Sequence, residues 1–168
     1  MSDLQIRRAD EGDARAIGTI YDEAIGQGMA TFATGPHTED ERRGWLHGRA
    51  ATAPVFVAVD DERRVLGWSA LAPFSHRSWY SGVGEYTVYV ATAARARGIG
   101  GALLDHLIVE APTFGYWKLV GMIFPENAAG LALAHSRGFI GVGVFRSHGR
   151  LQGDWRDISL VERHLEVT

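Results

Sequence analysis

The chain has 168 residues, the size of one ordinary domain, and its 46% hydrophobic against 22% charged composition supplies a core and argues against intrinsic disorder. A formal charge of −3 provides no global basic field for nucleic acid or a membrane surface, so any anion must be bound locally. The absence of cysteine excludes disulfides, thiolate catalysis and cysteine-ligated zinc together. Met1 to Arg8 lacks the apolar stretch of a signal peptide, and no run approaches the roughly 18 apolar residues of a membrane span. These features predict a single cytoplasmic domain over 1–168.

In chain order, Leu4 to Arg8 alternates like a short strand. Asp10 then precedes Ala14, Ile17, Tyr21, Ala24 and Ile25 at helical spacing. After a loop over 26–37, Thr38 and Glu41 have capping-box spacing and predict a helix to about Ala51. Val55–Val59 and Val65–Leu71 read as strands joined by the charged turn over 60–64. The segment 73–84 is rich in serine, glycine and aromatics without a period and reads as a loop. A central strand is predicted at 85–90, then a glycine-rich loop over 95–101, then a helix with the stripe Leu103, Leu104, Leu107, Ile108 and Ala111. Strand 119–124, helix 127–137, strand 139–145 and a last strand 155–164 complete a mixed α/β domain without repeats.

The glycine loop carries the most information. Gly98, Gly100 and Gly101 allow tight turning and close approach of backbone N–H groups to a phosphate, with the following helix N-terminus adding positive potential. Arg95 and Arg97 are candidate charge-assisted contacts. A corner turned by glycine, with no ligand, would look the same locally. A Walker loop is excluded because Gly101 and Ala102 stand where Lys and Ser/Thr are required. A dinucleotide fingerprint fits poorly, with Leu103 at its third small position and the motif in mid-chain.

The remaining pattern, arginine, two residues, glycine, one residue, glycine after a strand, resembles the pyrophosphate loop of the GNAT superfamily of N-acetyltransferases. Four further matches resemble its phosphinothricin and methionine sulfoximine branch. They are Ile6-Arg7-Arg8-Ala9 with Ala30-Thr31-Phe32, the strand Glu85-Tyr86-Thr87-Val88-Tyr89-Val90, the pair Arg77 and Tyr80, and Gly153-Asp154-Trp155-Arg156-Asp157. The resemblance implies a central mixed, mostly antiparallel twisted sheet flanked by helices, acetyl-coenzyme A as co-substrate, a small amine as acceptor and a homodimer. It places the cofactor against Val88, Tyr89, Val90, Arg95, Ala96, Arg97, Gly98, Ile99, Gly100, Gly101 and Asn127, and the acceptor against Phe32, Arg77, Tyr80 and Glu85.

Acetylating an ammonium group requires a base, a thioester and donors for an oxyanion. Glu85, opening the strand that leads to the glycine loop, is the expected base by direct attack, although an ordinary exposed strand carboxylate would have the same sequence. Backbone amides of 86–90 are the expected oxyanion donors. Tyr89 has packing as its alternative role, Asn127 helix capping, and Phe32 and Tyr80 core packing. Trp155 suits either the core or a dimer contact.

The branch commonly has tyrosine or histidine at the position of Ala134, and His135 follows one residue later. One residue on a helix rotates a side chain by about 100°, so His135 is expected to point away and no general acid is assigned. Ser75 replaces a second basic residue of the branch, which leaves the recognised acidic group open. The seven histidines form no metal-binding pattern, so no metal is expected. Acetylation of a different amine, or coenzyme A sensing without turnover, remain the rival readings. Arg77 favours an acidic acceptor over a cationic one, and Glu85 favours turnover.

Overall fold

A computed structural model describes residues 4–166; Met1 to Asp3, part of the signal-peptide reading, and the last two residues lie outside them. Strand β1 (Gln5–Arg8) leads through a 3-10 turn (Glu11–Asp13) into helix α1 (Ala14–Gln27). Asp10 begins that turn with a capping box, accepting from the Gly12 amide while the Asp13 carboxylate accepts from the Asp10 amide at 2.9 Å. Helix α2 (Glu39–His47) starts at the predicted Thr38–Glu41 box. It stops short of Ala51 because the backbone leaves the helical conformation at its C-cap Gly48 (φ −78°, ψ 0°), a poor helix former.

Strands β2 (Val55–Val59), β3 (Val65–Pro73) and β4 (Val83–Val90) form an antiparallel meander. Pro73 pairs with Gly84, so both strands extend into the segment read as loop, which retains a 3-10 turn at Ser78–Tyr80. Helix α3 (Ile99–Glu110), strand β5 (Lys118–Ile123) and helix α4 (Ala128–Ser136) follow. The hairpin of β6 (Ile140–Leu151) and β7 (Asp154–His164) ends the described chain. Strand β6 is longer than expected: irregular registers near Gly141 and between Phe145 and Gly149 break its alternation, yet pairing resumes through Leu151.

The seven strands lie in the order β1-β2-β3-β4-β5-β7-β6, and only β4 and β5 are parallel. The pleat sends alternate residues to opposite faces. Val55, Val57, Val59, Trp68 and Ala70 pack with Ile17 and Ile20 of α1, while Phe56, Leu71 and Tyr86 pack with Leu104 and Leu107 of α3. Both faces are therefore covered, which accounts for the uninterrupted apolar run of β2.

Candidate active site

The parallel pairing of β4 with β5 holds only from Val83–Lys118 to Glu85–Val120. Beyond Glu85 the two strands part, although β4 continues to Val90 and β5 to Ile123. A small cavity lies in the gap, lined by Tyr86, Thr87, Val88, Met122, Phe124 and Asn127 among others. It borders a cleft of about 800 Å³ that runs past Val88, Tyr89 and Val90 to the N-terminus of α3 and across to α4.

The N-terminus of α3 has no side-chain cap, so its first-turn amides are available to an anion. The loop before it turns through left-handed conformations at Ala96 (φ 59°) and Gly98 (φ 79°), a backbone shape that gathers N–H groups into a concavity. Gly100 and Gly101 lie inside the helix, so their glycines are not explained by turning a corner. Glycine there costs roughly 1 kcal/mol relative to alanine. A Cβ on Gly100 would stand 3.4 Å from Leu133 Cδ2 and 3.5 Å from Val90 Cγ2, both on the cleft wall. One on Gly101 would run into the Arg137 guanidinium, which is paired with Asp105.

Arg95, Ala96, Gly98, Ile99, Gly100 and Gly101 line the cleft with Val88, Tyr89, Val90 and Asn127. Arg97 is exposed and is not part of its lining. Asn127 caps α4, its Oδ1 accepting from the Gly130 amide at 2.9 Å, and also faces both the gap and the cleft. The uncapped helix end, the left-handed loop, the glycine-cleared wall and the free β4 edge fit a phosphate-bearing cofactor with an extended amide arm.

On the other face of β4, Glu85, Thr87 and Tyr89 border a cavity of about 220 Å³ beneath α1 and α2. Glu85 is half-buried, and desolvation raises its pKa above the ordinary carboxylate value. Tyr89 packs edge-on against Tyr21 at 5.1 Å and donates from its phenol to the Ala30 carbonyl at 3.2 Å. Burial raises that phenol's pKa and keeps it protonated near neutral pH. Tyr89 borders all three cavities, and Thr87 borders the gap and the Glu85 cavity. The base candidate and the cofactor cleft therefore meet across one stretch of strand.

The sequence and the fold both match known proteins. The profile of the "Acetyltransferase (GNAT) family" covers residues 17–139. The chain belongs to the GNAT acetyltransferase family. A phosphinothricin N-acetyltransferase of Streptomyces coelicolor is 34% identical over 98% of both chains. An L-methionine sulfoximine/L-methionine sulfone acetyltransferase of Pseudomonas paraeruginosa is 31% identical over 97% of this chain and 95% of its own. The crystal structure of a GNAT superfamily phosphinothricin acetyltransferase from Sinorhizobium meliloti in complex with acetyl-coenzyme A superposes with a TM-score of 0.86 at 30% identity, covering 96% and 88% of the two chains. This GNAT domain is an acyltransferase dependent on acetyl-coenzyme A, built on the expected mostly antiparallel α/β fold.

Other sequence-predicted residues line none of these cavities. Arg77 and Tyr80 are exposed on the β3–β4 loop and line none of these cavities. Phe32 packs edge-on against Phe124 at 4.8 Å and covers Gly149, in a cluster with Leu151 and Ile158. Ala134 is fully buried, and His135 bonds through Nδ1 to the Phe139 carbonyl at 3.1 Å, outside the cleft lining of this GNAT domain. Trp155 is exposed, with the Arg150 guanidinium over its ring at 4.2 Å. Arg42, Trp45 and Trp68, which line the Glu85 cavity, were not expected from sequence. No group of three metal-ligating side chains occurs among the described residues, and no helix there is long and apolar enough to cross a membrane.

Proposed function

We propose that this cytoplasmic single domain acetylates the α-amine of a small amino-acid analogue of the phosphinothricin or methionine sulfoximine type, with Glu85 as the base in direct attack. The observation that carries this reading is the half-buried Glu85, raised in pKa, in a cavity that shares Tyr89 with the cofactor cleft. The names of the relatives support the acceptor class. The N-terminus of α3 and the loop at 95–98 hold the pyrophosphate, and the free edge of β4 with Asn127 holds the arm. Bound acetyl-coenzyme A supplies the thioester acetyl group that the amine attacks. Glu85 receives the ammonium proton, directly or through one water, and a raised pKa brings its proton affinity closer to the working pH. Amide donors of 86–90 stabilise the carbonyl oxygen as charge develops on it. No residue is assigned to protonate the leaving sulfur, because a thiol pKa of roughly 8.5 already permits departure near neutral pH.

Arg77, Tyr80 and Phe32 are the proposed outer contacts of the acceptor, with Arg77 facing an acidic group of the acceptor. A steady-state amine panel with acetyl-coenzyme A, read by thiol release, tests the reading. Acid-bearing amino-acid analogues should be preferred over polyamines and aminoglycosides by several decades in kcat/KM, and Arg77→Ala should raise KM for a phosphinyl acceptor. Tight acetyl-coenzyme A binding with no turnover on any amine would replace the enzyme by a sensor.

We also propose a homodimer through β6, supported by Ile140, Val142, Val144 and Phe145, each at least 41% exposed along that edge strand. Sedimentation should give twice the chain mass for the wild type, and Val144→Lys should shift it towards the monomer.

A further inference from the structure

Arg42 is the only arginine of the described chain that is almost wholly buried, at 5% exposure. Its guanidinium carbon lies 4.9 Å from the Tyr21 ring centroid and 5.0 Å from that of Trp45, which hold the plane between two aromatic faces. Its Nε and Nη2 are buried and have no hydrogen-bond partner among the described residues. Those two nitrogens form the side-on edge of the guanidinium, whose parallel N–H groups match the two oxygens of a carboxylate. The Trp68 indole N–H, on the wall of the same cavity, is a third buried donor without a partner among the described residues. Arg49, the neighbouring cation, differs: its guanidinium is engaged with the Ala53 and Leu71 carbonyls.

A buried cation without a hydrogen-bond partner is costly, and a bound anion that completes its fork offsets that cost. Glu85 borders the cavity but is not a hydrogen-bond partner of the Arg42 Nε or Nη2. We propose that Arg42, with the Trp68 N–H, binds the α-carboxylate of the amino-acid acceptor in the cavity beneath Glu85. In an α-amino acid the carboxylate and the amine sit on one carbon, so an acid group held here keeps the amine beside Glu85. The exposed Arg77 is then left for a second, distal acidic group. This assignment rests on the amine-acetylation reading above and adds the residue that selects α-amino acids over simple amines.

The test pairs L-methionine sulfone with its decarboxylated amine, on wild type, Arg42→Met and Arg42→Lys. Arg42→Met keeps the length that packs between Tyr21 and Trp45, and circular dichroism checks its fold. KM for the sulfone should rise about 30-fold or more in Arg42→Met, in line with loss of charge-assisted bonds, while kcat/KM for the decarboxylated amine falls far less. Calorimetry with coenzyme A-saturated protein, which cannot turn over, should show the same loss in sulfone affinity. Should Arg42→Met fail to fold, Arg42→Lys carries the test, with about tenfold weaker sulfone binding expected from loss of the side-on fork. Equal loss for both compounds, or sulfone binding as in wild type because the cavity holds water only, overturns the proposal. If wild type binds the sulfone through Arg42 but acetylates neither compound, the acetylation reading fails while the anion site stands. If wild type acetylates the sulfone and the variants match it, the reverse holds.

Discussion

Gly100→Val should weaken coenzyme A binding about 100-fold or more without unfolding the protein. Position 100 lies in the first turn of α3, where valine is a better helix former than glycine, so the backbone accepts the change. A β-carbon there meets Leu133 and Val90 at ordinary contact distances, and both line the cleft, so the γ-methyl groups of valine would add bulk at the cleft wall. They would hold a phosphate away from the first-turn amides. Losing one or two charge-assisted hydrogen bonds, each worth roughly 1.5–3 kcal/mol, gives an effect of that size. Gly100→Ala, which adds no γ-carbon, should lose much less. Calorimetry with coenzyme A on both variants is the measurement, and unchanged affinity in a folded Gly100→Val protein would remove the phosphate role from this loop.

Local signals led to the right elements wherever local chemistry decides the structure. The Thr38–Glu41 box starts α2, the charged run 60–64 turns β2 into β3, and the stripe from Leu103 to Leu107 faces the sheet. The glycine loop was legible because Gly98 adopts a conformation that few other residues tolerate. Its neighbour Ala96 adopts a left-handed φ as well, and nothing in its identity announces that. The parting of β4 from β5 left no trace either. It depends on where a parallel register ends, which is a property of two strands separated by a whole helix.

The cavity beneath Glu85 shows the limit more sharply. Arg42 and Arg43 are adjacent arginines on one helix, and their composition is identical. Arg43 pairs with Glu39 and Asp40 at the surface, whereas Arg42 turns inward between Tyr21 and Trp45. The three-residue step from Arg42 to Trp45 places both on one helix face, the single signal that sequence offered. It could not say that α1 would deliver Tyr21, or β3 Trp68, to the same place. Phe32 left both a substrate wall and core packing open in sequence, and its ring packs against Phe124 and over Gly149.

Glu85→Gln should lower turnover about 100-fold or more while coenzyme A affinity survives, in line with a general-base contribution. Glutamine keeps the shape and hydrogen-bonding capacity of the side chain and loses only its basic function. In the wild type the rate should rise with pH along a limb displaced above the ordinary glutamate pKa of roughly 4.3, because desolvation raises the pKa of this carboxyl. A limb that belongs to Glu85 disappears in the glutamine variant, and one that belongs to the substrate amine persists. Stability gives an independent sign. A carboxyl whose folded-state pKa is raised favours folding below its unfolded pKa, and that contribution is lost as pH rises through the folded pKa. At neutral pH the ionised Glu85 is therefore a cost of the native state, and Glu85→Gln should melt no lower than wild type. A variant that is catalytically intact with an unchanged pH profile would leave positioning and the β4 amides to carry the reaction on an amine that arrives neutral. A variant that is slow and also melts well below wild type would instead point to a structural role for the carboxylate.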